Sequence, residues 1–332
     1  MSDEDLLKVR VCDLPVRLEG TFVHKQVKRL YRELKQREIS FKPHVWISGE
    51  FYTPDGVPGF AIPFYLTHPR LMRLERKQMF EVEGGTEYTL MRILRHETGH
   101  AIDNAYRIHL KSSWRQVFGS FKQRYPVSYK PKPNSRKYVL HLDSWYAQAH
   151  PAEDWAETFA VWLKPGARWR SRYKEWPALR KLEYVDRLMH QIGKQPRKNR
   201  SRLHDEPLSD LRMTLEQYYK RKRGRYSLEY PPFYDRDLRR IFSDDPRFRS
   251  RPSAPAFLRR YRSEIRNIVS RGTDVYPYTI DHVLDNIIER AKDLKLRVQS
   301  TEKFTKQETI IMLTVHTMNI VHSGRYRFHY GM

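Results

Sequence analysis

Cysteine occurs once in the 332 residues, at Cys12. A single thiol excludes an internal disulfide framework and any zinc site built on cysteines. Long apolar runs are missing as well. The longest uncharged apolar-rich stretch, Thr309 to Val321 (TIIMLTVHTMNIV), falls short of the ~20 residues of a membrane span and contains His316. The opening MSDEDLLKVRVCDLPV lacks a basic start followed by an apolar run, so no secretory signal is read there and a cytoplasmic location is expected. Acid is scarce in one place: residues 111–140 carry 8 basic and no acidic side chains.

What the chain has is positive charge, a net +24, unevenly spread. Residues 1–100 count 16 basic against 14 acidic, residues 101–200 count 21 against 8, and residues 201–332 count 26 against 17. Such an excess suits anionic partners in general: nucleic acid, acidic protein surfaces or lipid head groups. The basic residues are scattered rather than set in a nucleic-acid-binding motif, so a solvated surface is the plain reading and nucleic acid is not favoured. With 39% apolar residues the chain has enough to build a core.

Periodicity divides the sequence into elements. Alternation over 7–20 suggests a strand, and His24 to Ile39 reads as an amphipathic helix. His44 to Tyr52 and Val57 to Leu66 look like strands around the turn Thr53-Pro54-Asp55-Gly56, and the second is a candidate rim strand for an extended peptide. Thr86 is placed to cap a helix from Glu87 to about His109, and Pro151 suits the first turn of another. Residues 196–205 read as a basic linker. Beyond them, helices with apolar faces (Val283, Ile287, Ile288; Ile310, Ile311, Leu313, Val315) predict a folded module rather than a tail.

The first of these helices contains His96-Glu97-Thr98-Gly99-His100. Imidazoles at i and i+4 project from one helical face a turn apart, where one metal ion can take both. Glu97, one residue on, reaches the same place without binding and can move protons for a metal-activated water. Gly99 is costly inside a helix, which points to a close approach by another group or helix. A catalytic zinc needs a third protein ligand. Candidates cluster downstream at His141, Asp143, His150, Glu153, Asp154 and Glu157; periodicity alone does not choose between Glu153 and Glu157.

HETGHAID followed by YAQAHPAEDWAETFA resembles the gluzincin metallopeptidases, in particular bacterial zinc-binding metallopeptidases with RHExGH and then a YAxxHPxEDWAE-type helix. The catalytic domain of the lethal factor toxin is similar. The resemblance covers residues 86–165. It implies one Zn2+ per chain on His96, His100 and Glu153, with Glu157 supporting the ligands and Asp103 as an acidic partner behind them. It also implies Glu97 and Tyr146 as catalytic residues. Members of the bacterial family often carry a cysteine-rich zinc segment, which a chain with one cysteine lacks.

The expected architecture is α+β: a zincin-like metallopeptidase domain over 1–195, the linker 196–205, and a basic, mostly α-helical C-terminal region over 206–332. The expected function is zinc-dependent hydrolysis of peptide or protein substrates, acidic ones suiting the charge. Two alternatives come from other classes. One is a binding or adaptor protein for anionic partners with a vestigial metal site, against which the presence of Glu97 speaks. The other is nucleic-acid binding through 111–140 and the arginine-rich stretch Arg247 to Arg262.

Overall fold

The computed structural model describes residues 2–126, 128–226 and 235–323, and among these helices predominate over a few short strands. The described residues divide into two compact units: those up to 78 with those of 82–219, and 79–81 with 220–226 and 235–323.

The main helices of unit 1 are α1 (Phe22–Gln36), α2 (Pro69–Met79), α3 (Glu87–Tyr106), α4 (Ser112–Phe118), α5 (Pro151–Leu163) and α6 (Ala178–Ile192). Three of the starts have a clear local cause. The Thr21 hydroxyl accepts from the His24 N–H to open α1, and Thr86 forms a capping box with Thr89 at α3. At α5 the His150 ring accepts from the Ala152 N–H, and Pro151 sits where its missing N–H costs nothing. Helix α3 is buried almost throughout, lying against α1, α5 and the sheet. Its burial takes in polar side chains as well, among them Arg95, His96, Glu97 and Asp103.

The sheet has two strands, β1 (His44–Ser48) and β2 (Gly59–Pro63), paired in parallel with His44 opposite Gly59 and Ser48 opposite Pro63. The intervening chain folds back so that Tyr52 O accepts from Ala61 N–H at 2.9 Å, which takes the other side of β2 in antiparallel fashion. The expected rim strand is thus buried, paired with β1 along one side and bridged to Tyr52 at Ala61 on the other. The strand expected over 7–20 is also absent. That segment holds a 3-10 turn, Val11–Asp13, and bonds to the 211–215 stretch through Val11 N–H to Met213 O at 2.9 Å and Leu215 N–H to Val9 O at 2.9 Å.

The stretch 196–205, expected as a linker, is bonded along unit 1. The N–H groups of Lys198 and Asn199 both donate to Ala105 O, and Trp46 Nε1–H donates to Asp205 O at 2.9 Å. Tyr52 and Ser48 hydroxyls donate to Asp205 O and Glu206 O, each at 2.6 Å. The division falls after residue 219 instead.

Unit 2 contains α7 (Ala254–Thr273), α8 (Pro277–Asp293) and α9 (Glu302–Ser323), with a short antiparallel pair of β3 (Phe242–Ser243) and β4 (Arg297–Val298). Its core is formed by Phe257, Leu258, Ile265 and Val269 of α7 against Ile280, Val283, Leu284, Ile287 and Ile288 of α8. Of the four apolar residues expected on α9, Leu313 is buried while Ile311 and Val315 are exposed. At 100° per residue Ile311 and Val315 share a face that Leu313 does not. The inward face is built from Thr305, Thr309, Leu313 and Thr317. No helix among the described residues is long and apolar enough to cross a membrane.

Candidate metal centre

Helices α3 and α5 meet at a glycine. A Cβ on Gly99 would lie 2.7 Å from Ala156 Cα, well inside any tolerable contact, and Trp155 Nε1–H donates to Gly99 O at 2.7 Å. The helical glycine therefore answers to close helix packing. Its effect is local: Glu153, one turn before Ala156, comes over the His96–His100 face.

There the donor atoms converge. His96 Nε2 and His100 Nε2 are 3.1 Å apart, and Glu153 Oε2 is 3.1 Å from the first and 3.3 Å from the second. Atoms bound tetrahedrally to zinc at about 2.0–2.1 Å lie about 3.3 Å from one another. His96, His100 and Glu153 thus form a cluster that could hold a metal ion, two members buried and His100 on the more open side.

The surrounding contacts decide which atoms face inward. His96 Nδ1 bonds to Glu157 Oε1 at 2.8 Å, leaving Nε2 as a lone pair toward the cluster. The other oxygen of Glu157 accepts from Leu142 N–H at 2.7 Å. Tyr125 OH donates to Glu153 Oε1 at 2.9 Å, which turns Oε2 to the imidazoles. Burial alone would neutralise these groups. Against it, hydrogen bonds to Glu153 and Glu157 hold the His96 imidazole well above its ordinary pKa, and the two imidazoles hold Glu153 far below the carboxylate range. Both shifts come from the opposite charges that these groups present to one another. An N2O donor set of this kind suits zinc.

Glu97 is buried beside the cluster, and its Oε2 accepts from Thr53 Oγ1 at 2.8 Å. Burial pushes its carboxyl up, while His96 and His100 pull it down. Tyr146 is buried with its ring 5.8 Å from that of His96. Burial and the charge of Glu153 raise its phenol well above 10, so it keeps its proton.

Other candidates lie elsewhere. Asp103, expected behind the ligands, accepts from His109 instead, at 2.7 Å from the backbone N–H and 3.0 Å from Nδ1, because it lies in the last turn of α3 where the chain bends back. His141 bonds to Arg92 O, Asp143 pairs with Arg92, and Asp154 pairs with Lys181. His150 is consumed as the cap of α5. Sequence reasoning missed Thr53, although its turn was visible. It also missed Tyr125, which sits in an irregular loop with no periodicity to mark it.

Residues 72–167 match the model of a family described as "putative zinc-binding metallo-peptidase", a span that includes every member of the cluster and is under a third of the chain. No curated protein and no solved structure matches the chain.

Proposed function

We propose that this protein is a zinc-dependent peptidase of zincin-like fold, with His96, His100 and Glu153 as ligands of one ion. The observation that carries the reading is the donor triangle with edges of 3.1–3.3 Å and a buried glutamate, Glu97, alongside it. The family match over 72–167 supports a peptidase at the coarse level.

A zinc ion held by these donors supplies a Lewis acid for a scissile carbonyl and makes water acidic enough to ionise near neutral pH. Glu97 then takes the proton from the attacking water and returns it to the leaving amine. Its raised pKa, set by burial, suits both transfers, and Thr53 fixes the carboxylate that performs them. Tyr146, protonated beside His96, donates a hydrogen bond to the carbonyl oxygen as it gains charge. Glu157 fixes the tautomer of His96, and Tyr125 fixes the rotation of Glu153.

The test is metal analysis of the purified protein with a digest of an unbiased peptide library, run beside Glu97→Gln. Zinc near one per chain, with cleavage that Glu97→Gln removes, is the expected result. Stoichiometric zinc with no cleavage of any library peptide returns the protein to the binding class.

A further inference from the structure

The loop from Gly119 to Leu140 is bonded to the donor cluster through Tyr125 and to the turn carrying Tyr146 at further points, and it carries positive charge without carboxylate partners among the described residues. Tyr125 OH reaches Glu153, Tyr129 OH donates to Ser144 O at 2.8 Å, and Lys132 exchanges two hydrogen bonds with the Gln148 side chain at 2.9 and 3.0 Å. Ser144 and Gln148 flank Tyr146, so the loop runs along the turn that presents it. Lys122, Arg124, Lys130, Lys132, Arg136 and Lys137 are all exposed on this loop, and none has a carboxylate partner among the described residues.

We propose that this loop is the docking surface for substrate and that it selects acidic peptide segments, a reading that rests on the peptidase function above. The loop is bonded to Glu153 and to the turn that carries Tyr146, so a chain laid along it meets cations unpaired among the described residues, where aspartate or glutamate side chains find charge partners and lysine or arginine is repelled. Nucleic acid fits less well. Single strands bind by stacking bases on open aromatic faces. Here one face of the Tyr125 ring is taken by His150, with centroids 3.8 Å apart, and one face of Phe121 by His109 at 4.2 Å, which leaves less aromatic surface for bases. Exposed side chains without partners are also free to reorient toward a ligand, without first breaking an internal ion pair.

Binding separates this proposal from hydrolysis. The full chain carrying Glu97→Gln, which does not turn over, is titrated with a short fluorescein-labelled peptide of alternating glutamate and alanine. Its lysine–alanine counterpart and a single-stranded oligodeoxynucleotide of equal length serve as comparison probes. The acidic peptide should bind, more weakly as salt rises. Reversing four charges together (Lys122→Glu, Arg124→Glu, Lys130→Glu, Lys132→Glu) should weaken it at least roughly tenfold, given four repulsive contacts for four attractive ones. Reversing Lys25, Lys28, Arg32 and Lys35, equally exposed on α1, should change it by less than about threefold. Equal losses in both variants, or no preference for the acidic over the basic peptide, overturn the proposal. An oligonucleotide that outcompetes the acidic peptide and depends on the same four residues overturns it too, and assigns the loop to nucleic acid. Acidic-peptide binding without hydrolysis by the parent sinks the peptidase reading alone. Cleavage with no charge preference sinks only this one.

Discussion

Two clusters of buried charge, one in each unit, are built from similar parts and end differently. In unit 2, Asp281 is 5% exposed and its carboxylate accepts from Arg262 at 2.5 and 2.7 Å and from Arg266 at 2.9 Å. Every strong acceptor there faces a guanidinium of its own chain. In unit 1, three atoms that all offer lone pairs, His96 Nε2, His100 Nε2 and Glu153 Oε2, are held within 3.3 Å of one another. The first cluster is matched by its own arginines, and the second gathers three donor atoms around one point that could hold a metal ion. Burial of charge therefore marks a site when like-natured atoms converge, and marks scaffolding when opposites do.

The same distinction holds at the surface. Within 247–262, Arg247, Arg259, Arg260 and Arg262 pair with carboxylates, and Arg251 donates to Ser300 O. That stretch looked as available as 111–140 in the sequence, yet most of its charge is spent within unit 2.

Removing one member from each cluster gives the widest separation. Glu153→Ala is expected to lose tightly bound zinc altogether. Asp281→Ala leaves two guanidiniums facing each other and should cost unit 2 about 3–5 kcal/mol while zinc content stays the same. Metal analysis and thermal unfolding of both variants check this. Zinc kept by Glu153→Ala but lost by Glu157→Ala would reverse the ligand assignment.

Next in size is Glu97→Gln, expected to keep zinc and stability while peptide hydrolysis falls about 10²–10⁴-fold. Full activity in that variant removes the catalytic half of the comparison. Tyr146→Phe should lower kcat about 10²–10³-fold with KM little changed. Activity within a few-fold of the parent would reduce Tyr146 to packing against His96. Tyr125→Phe should leave the ligands in place but free the Glu153 carboxylate to rotate, weakening zinc about 10–100-fold in a competition titration with a chelator. An unchanged affinity would show that the helix contact alone aligns the carboxylate.

The smallest effect concerns pH. The hydrogen bond to Asp103 holds the His109 imidazole above its ordinary 6.5. The folded state thus binds the proton more tightly than the unfolded chain. The resulting stability is fully present below pH 6.5 and fades as pH rises through the elevated value. Unfolding followed from pH 6 to 8.5 should show a shallow decline that His109→Gln flattens. The arginine pairs of unit 2 do not titrate in this window, so a decline seated in unit 2 would break the contrast.

The sequence was informative where geometry is local. Two histidines four apart on a capped helix must share a face, and they do. Val283, Ile287 and Ile288, expected on one apolar face, are buried on α8 for the same reason. The choice of Glu153 came from resemblance, since periodicity left Glu157 equally placed; the difference arises from which side of His96 each occupies, a tertiary fact. Tyr125 and Thr53 reach the site from loops, where no repeat announces direction. The membership of 196–219 in unit 1 was invisible because the acceptors are backbone carbonyls of Leu203, Asp205 and Glu206, and carbonyls leave no trace in residue type.

The contact between Gly99 and Ala156 also bears on which ion the protein prefers. The spacing of the two helices sets how far Glu153 stands from the two histidines of α3, and edges of 3.1–3.3 Å suit bonds near those of zinc. Ions such as calcium take bonds of about 2.3–2.6 Å and so want a wider opening. Any side chain at position 99 would force the axes apart. Position 99 supplies none of the donors, yet a screen of cation preference should find a strong determinant at the helix crossing, outside the ligands themselves.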